Sequence, residues 1–162
     1  MNASRDRRGF TLAELLIGTF LLVGGGGAVL LGMQYAMIHA GYLSEFQVAM
    51  DAAQGEVETL SATSFDTLWS GAEFVNARAG GQRVSLPNFP QGALAIHIRP
   101  VPPAAINPTL LDLQVAACWE SRGRRIGEDQ NCNGVLDPGE DVNQNGWIDS
   151  PVMVSTRVGR ET

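Results

Sequence analysis

Oxygen-bearing side chains recur at regular spacing between Glu128 and Asp149, a segment with six acidic residues and no basic residue. Together with one glycine, they repeat with a shift of twelve residues. The first set is Asp129, Asn131, Asn133, Gly134 and Asp137, and the second is Asp141, Asn143, Asn145, Gly146 and Asp149. Oxygen ligands at loop positions 1, 3, 5 and 9, with glycine at position 6 for the sharp turn, let a short chain wrap a hard cation. The repeat predicts two calcium-binding loops in an insertion at 127–150.

Loop positions 7 and 12 complete this pattern in the first loop only. Val135 and Trp147 stand at position 7, where the backbone carbonyl is the ligand. Position 12 is Glu140 in the first loop, the expected bidentate carboxylate, but Val152 in the second. The second site must then be completed by water or by Glu140 shared between the two ions. The alternative is a solvated acidic turn whose like charges repel one another.

The insertion has no amphipathic helices on either side of it. It therefore resembles the calcium loops of dockerins and thrombospondin type 3 repeats more than a helix-loop-helix sensor. The resemblance implies one or two Ca²⁺ ions as the cofactor of this protein.

The N-terminal part of the chain joins a basic cluster to an apolar run. Residues 1–9 contain three arginines, and the nineteen residues from Leu15 to Met33 carry no charge. At 1.5 Å per residue, a helix of this length crosses the roughly 30 Å hydrocarbon core, and the basic flank places the N-terminus in the cytoplasm. A secretory signal peptide would have a shorter apolar core. A plain membrane anchor does not explain Glu14, because an ionisable group there is costly and requires a partner.

The run RRGFTLAELLIGTFLLVGG resembles the leader and N-terminal helix of type IV pilins and type II secretion pseudopilins. The resemblance implies that prepilin peptidase removes residues 1–9 by cutting between Gly9 and Phe10, and that the new amine of Phe10 is methylated. It also implies that Phe10, Thr11 and Glu14 act in assembly, with the Glu14 carboxylate neutralising the Phe10 amine of a neighbouring subunit. The other interpretation of Glu14 is a helix-end residue at the membrane interface.

A run of four glycines, Gly24, Gly25, Gly26 and Gly27, lies inside the predicted membrane-spanning segment 10–33. Each glycine costs roughly 1 kcal/mol relative to alanine in a helix, so the run is a weak point. By resemblance to pilins, it could unwind when the subunit enters a filament. It could equally serve close packing between helices, and the sequence leaves both interpretations open.

The rest of the chain predicts an α+β fold. Helical spacing of apolar residues continues over 34–64, in the stripe Leu43, Phe46, Met50, Ala53, Val57 and Leu60. A region rich in Gly, Ala and Asn predicts a connecting loop at 65–93, and alternating segments near Leu94, Leu111 and Val152 predict an antiparallel head at 94–162. A long N-terminal α-helix, transmembrane in its first half and amphipathic in its second, would pack on a small antiparallel β-sheet. His97 is expected on the solvent side of that sheet.

Cys118 and Cys132 would both lie on the oxidising side of the membrane. Two cysteines are too few for a disulfide scaffold or for an all-cysteine zinc site. Pilins often carry a C-terminal disulfide, so the resemblance favours a bond that links the insertion to the sheet. Two unrelated buried thiols are the alternative.

Charge and motifs limit the classes of function. The 162 residues have a formal net charge of -6, which disfavours nucleic acid as a partner, and no nucleophile motif or paired histidine indicates an enzyme. The resemblance implies a minor pilin or pseudopilin, single-pass in the inner membrane before assembly and periplasmic or extracellular in a filament afterwards. Its partners would be other pilin or pseudopilin subunits, contacted through the N-terminal helix. The alternative is a calcium-dependent adhesin, a binding module displayed on the same anchor.

Overall fold

The computed structural model describes residues 11–103 and 106–160, which form an α+β fold. The helical elements are α1 (Leu12–Ala62), α2 (Phe65–Ser70), a 3-10 turn (Ala72–Phe74) and α3 (Val75–Ala79). The strands are β1 (Gln82–Ser85), β2 (Ala93–Val101), β3 (Leu110–Ser121), β4 (Arg124–Ile126) and β5 (Met153–Gly159). The predicted class, a long N-terminal helix with a small antiparallel sheet, is confirmed. The chain divides into two compact units, one ending at Leu43 and one beginning at Ser44.

The first unit contains the apolar part of α1. An 18-residue window of this helix has a mean hydropathy of 2.1, and none of the window is buried. By length and composition, α1 is therefore compatible with a single-pass membrane anchor. The glycine run at 24–27 is helical, and a Cβ added at any of its residues would meet nothing within 4 Å.

The second unit has its main core between the apolar stripe of α1 and one face of the sheet. Ala53, Val57 and Leu60 are buried as the stripe predicts, whereas Leu43 is 68% exposed. The sheet residues of this core are Leu94, Ile96, Ile98, Leu111, Leu113, Val115, Ala117 and Trp119. Trp119 is fully buried, and its ring meets the ring of Phe46 edge to face at 5.1 Å.

Strand β3 is the centre of the sheet. Strand β2 runs antiparallel along one edge of β3, from the pair Ala93–Cys118 to the pair Val101–Leu110, and β1 pairs with β2. Strands β4 and β5 lie end to end along the other edge of β3. Between them, the Ala117 N–H donates to the carbonyl of Val152 at 2.9 Å. The insertion therefore leaves and rejoins the sheet at this one edge, between β4 and β5. The sequence predicts it between the strand near Leu111 and the strand near Val152, without the short strand β4.

The segment 65–93 is not the connecting loop that its composition predicts, because it holds α2, the 3-10 turn, α3 and β1. Ser64 caps α2 by accepting a hydrogen bond from the Thr67 N–H at 3.3 Å. Gly71 and Gly80 are the C-caps of the two short helices, so these glycines end elements that are otherwise regular. Short helices that end in glycine have the glycine-rich composition of a loop, so composition alone did not reveal them.

The second face of β2 and β3 is also mostly buried, in contrast to the prediction. Its small side chains Ala95 and Ala116 pack against Ile148 of the insertion. His97, which was expected in solvent, is only 1% exposed. Alternation along a strand separates two faces, but it does not reveal that a later segment folds back over the more polar one.

Candidate metal site

The first loop of the insertion is organised around the carboxylate of Asp129. This side chain is completely buried, and its two oxygens accept hydrogen bonds from the N–H groups of Asn133 (3.1 Å) and Gly134 (2.7 Å). Gly134 has φ of 75°, and a Cβ there would lie 2.7 Å from Cα of Arg83. Both the backbone conformation and the space therefore require glycine at position 6.

The remaining predicted side chains of the first loop come together around the same turn. Asn131 Oδ1 accepts from the Asn133 N–H at 2.8 Å, and Asn133 Oδ1 accepts from the Val135 N–H at 2.7 Å. Asp137 Oδ2 accepts from the side-chain amides of Asn131 (2.9 Å) and Asn133 (2.8 Å).

Glu140, at position 12, closes the first loop. Its Oε1 accepts from the Gln130 N–H at 2.8 Å, and its Oε2 accepts from the Asp137 N–H at 3.0 Å. The carboxylate is 6% exposed. Both of its oxygens are therefore bonded within the first loop.

The second loop repeats these contacts twelve residues later. Asp141 accepts from the N–H groups of Asn145 (2.9 Å) and Gly146 (2.8 Å), as Asp129 does in the first loop. Asn143 Oδ1 accepts from the Asn145 N–H at 3.0 Å, and Asn145 Oδ1 accepts from the Trp147 N–H at 2.7 Å. Asp149 Oδ2 accepts from the amides of both asparagines. The sequence repeat is thus also a repeat of local structure.

The two loops could hold a hard cation by oxygen atoms of mixed origin. Within residues 11–103 and 106–160, no three His, Cys, Asp or Glu side chains are grouped so as to hold a metal ion. Asparagine and backbone oxygens would therefore have to contribute, as the spacing predicts. Neither Asp129 nor Glu140 forms an ion pair in the described part of the chain. Buried carboxylates require a compensating charge, so this donor set fits a divalent cation.

The predicted disulfide between Cys118 and Cys132 is present, with their Cα atoms 5.6 Å apart. It joins β3 to position 4 of the first loop, and both residues are buried beside Ala93. The Arg83 side chain adds a hydrogen bond from Nε to the Cys132 carbonyl at 3.0 Å. The first loop is thereby fixed to the second face of the sheet.

Three residues to which the sequence assigned no role at the site hold the second loop on the sheet. The Arg99 guanidinium lies 3.8 Å from the ring centroid of Trp147, and the His97 ring meets the same indole at 5.9 Å. The Gln114 amide donates to the Ile148 carbonyl at 3.1 Å. His97, Arg99 and Gln114 lie at neighbouring positions on the sheet face that was predicted to be in solvent. A row of polar residues has the same sequence pattern whether a loop or solvent covers it, so the sequence did not reveal this contact.

Burial changes the pKa of two of these groups. Desolvation, together with the positive charge of Arg99, lowers the pKa of His97 to about 4. Desolvation also lowers the pKa of Arg99, an effect that the nearby carboxylate of Asp141 opposes. Nε2 of His97 is buried and has no hydrogen-bond partner among residues 11–103 and 106–160, so the imidazole is neutral in the folded head at neutral pH.

The N-terminal site residues are only partly within the structure. Gly9 and Phe10 lie outside the described residues. Thr11 and Glu14 form reciprocal hydrogen bonds: Oε2 of Glu14 accepts from the Thr11 N–H at 3.0 Å, and Oγ1 of Thr11 accepts from the Glu14 N–H at 3.3 Å. This arrangement is a capping box at the start of α1.

Comparison of this chain with models of protein families, with curated proteins and with solved structures gives no match.

The buried imidazole predicts that acid destabilises the head. In the unfolded chain His97 titrates near 6.5 and in the folded head near 4, so the unfolded state binds more protons between these values. The free energy of unfolding should fall as the pH decreases from about 6.5 to about 4, by on the order of 3 kcal/mol from this group.

Urea unfolding of the full chain in detergent and EDTA, followed by Trp fluorescence at pH 7 and at pH 4.5, measures this effect. The His97→Gln variant should lose less stability than the natural chain over the same interval. An equal loss in both proteins would assign the acid sensitivity to other groups.

Proposed function

We propose that this chain is a minor pilin or pseudopilin, a structural subunit of a type IV pilus or type II secretion pseudopilus with a calcium-stabilised extracytoplasmic head. The observation that carries the proposal is Glu14, a carboxylate in the first turn of α1 that directly precedes the nineteen uncharged residues 15–33. Its place four residues after the Gly9-Phe10 junction is what the pilin resemblance requires.

The surface of the first part of α1 supports a role in assembly. Leu15, Leu16, Ile17 and Phe20 are all more than half exposed, and Leu21, Leu22 and Val23 continue this surface. An apolar surface of this extent needs a covering of lipid or protein. Before assembly the inner membrane would supply it, and afterwards the helices of other subunits would.

Glu14 has two possible roles, as a helix cap and as an ion-pair partner. As a helix cap, its Oε2 accepts from the N–H and the hydroxyl of Thr11 in its own subunit, and glutamine could replace it. As an ion-pair partner, it neutralises the cationic N-terminal amine of Phe10 on a neighbouring subunit, and only a carboxylate suffices. We propose the second role for Glu14. Before assembly, the capping hydrogen bonds would hold its carboxylate in place.

The head is proposed to bind Ca²⁺ at the two loops. The supporting observations are the repeated hydrogen-bond pattern and the unpaired buried carboxylates of Asp129 and Glu140. The expected first set is Asp129, Asn131, Asn133, Asp137 and Glu140 with the carbonyl of Val135, and the second is Asp141, Asn143, Asn145 and Asp149 with the carbonyl of Trp147. An ion at each loop would offset the repulsion between acidic side chains. The disulfide suits the oxidising environment outside the inner membrane.

Processing at the leader tests the assignment directly. The mature protein extracted from membranes should begin at Phe10 and carry one added methyl group, measured by intact mass. Gly9→Leu should accumulate as uncut precursor, because leaders of this kind need a small residue at the cut bond. Gly18→Ala is the matched control and should be cut normally, since a Cβ at Gly18 meets nothing within 4 Å. A mature start at any other residue would refute the pilin assignment.

Substitution of Glu14 tests its ionic role. Glu14→Gln keeps the capping hydrogen bonds and removes the charge, so it should insert into the membrane normally yet fail to enter filaments, as should Glu14→Ala. Filament incorporation is measured by immunoblotting of sheared filaments against the membrane fraction. Glu58→Ala removes an exposed carboxylate of the same helix and should assemble normally. Normal assembly of Glu14→Gln would leave capping as the only role of Glu14.

Calcium should raise the melting temperature of the head in the full chain held in detergent. Extracellular loops of this type bind calcium at roughly 10⁻⁴ to 10⁻³ M. At 100 times the dissociation constant the stabilisation is about 2.7 kcal/mol per site. The double variant Asp129→Ala, Glu140→Ala should lose the contribution of the first loop, whereas Glu120→Ala, an exposed carboxylate on β3, should keep both. No binding by calorimetry at millimolar calcium, or equal stabilisation by magnesium, would refute the calcium assignment.

A further inference from the structure

The second loop lacks the residue that closes the first. Its position 12 is Val152, which is fully buried in the main core and whose carbonyl accepts from the Ala117 N–H. Glu140 cannot easily serve both loops, because both of its oxygens are bonded within the first. A carboxylate for the second loop would have to come from elsewhere in the chain.

In the first loop, Glu140 is joined to position 9 by a pair of hydrogen bonds. Its own N–H donates to the Asp137 carbonyl at 3.1 Å, and its Oε2 accepts from the Asp137 N–H at 3.0 Å. This pair fixes the glutamate carboxylate beside the carboxylate at position 9, where both can reach one ion.

Glu128 makes the same pair of bonds with position 9 of the second loop. Its N–H donates to the Asp149 carbonyl at 2.8 Å, and its Oε2 accepts from the Asp149 N–H at 3.2 Å. Atom for atom, Glu128 is to Asp149 what Glu140 is to Asp137. The glutamate comes from the residue before the first loop, 21 positions away in sequence.

The second oxygen of Glu128 favours a role as a cation ligand. Oε1 of Glu128 accepts no hydrogen bond from the described part of the chain, whereas Oε1 of Glu140 is bonded to the Gln130 N–H. Arg99 is stacked on Trp147 and lies near the Asp141 carboxylate, and among the described residues it forms no ion pair with Glu128 or Asp149.

We propose that Glu128 is the missing carboxylate ligand of the second calcium site. This inference rests on the proposed calcium binding and extends it by naming a ligand from outside the twelve-residue repeat. The second ion would then be held by residues from both ends of the insertion, Glu128 at its start and Asp149 at its end. Binding at this site would fasten the two ends together.

Terbium luminescence distinguishes the two sites in the full chain in detergent. Trp147 stands at position 7 of the second loop and would transfer excitation energy to Tb³⁺ bound there, whereas the first loop has Val135 at that position. Trp147→Phe identifies the signal that belongs to the second site. Calcium calorimetry on the same protein counts the ions and gives each affinity.

The natural chain should bind two calcium ions. Glu128→Gln should weaken the Trp147-sensitised site about tenfold or more and leave the other unchanged. Glu140→Gln should do the reverse, and Glu120→Gln should change neither. Glu128→Asp, which keeps the charge but shortens the reach, should also weaken the second site, so a loss cannot be assigned to charge alone. Unchanged fluorescence of Trp69 and Trp119, recorded for each variant in the Trp147→Phe background, shows that the core is intact.

These measurements distinguish a failure of the Glu128 proposal from a failure of the calcium proposal. Two ions in the natural chain with unchanged affinities in Glu128→Gln would overturn the role of Glu128 and leave calcium binding in place. Weakening of both sites to the same extent by Glu128→Gln would also overturn it, because the residue would then act on the whole insertion. No ion bound by the natural chain would overturn the calcium proposal and this inference with it.

Discussion

The burial of the Asp129 carboxylate is the constraint on which the head depends. This side chain lies where the insertion leaves the sheet, excluded from water and with no basic partner in the described residues. Its charge has to be met by the N–H groups of its own loop and, in our proposal, by an ion. Those N–H groups point inward only if Gly134 takes a positive φ.

The same electrostatic constraint applies to two carboxylates that lie far apart in the chain, Glu14 and Asp129. Glu14 lies at the edge of a long apolar surface, and Asp129 lies inside a small protein interior. A carboxylate in either place is unfavourable until a positive charge reaches it. We propose that the charge is a neighbouring subunit's amine in one case and a calcium ion in the other. Assembly and folding of this protein would then both use unpaired carboxylates as the groups that a partner must satisfy.

Local spacing was enough to predict the parts of the structure that repeat locally. The stripe at Ala53, Val57 and Leu60, the alternation in β3 and the twelve-residue loops depend on residues close in sequence. The burial of His97 does not, because Trp147, fifty residues later, packs against it. The pairing of Glu128 with Asp149 could not be predicted for a similar reason, because Asp149 belongs to the second loop and a comparison confined to each repeat stops at Val152. The short elements in 65–93 were missed because their end glycines dominate the composition.

Strands β4 and β5 share one edge of β3, so the insertion begins and ends beside the same residue, Ala117. The pairing of β4 and β5 with β3 therefore does not depend on how many residues lie between these two strands. Duplication or loss of a twelve-residue unit would change the number of loops without shifting the register of any strand. What fixes each loop is therefore its contact with the second face of the sheet and not the register of the strands. The disulfide ties the first loop to β3, and Trp147, packed against His97 and Arg99, holds the second.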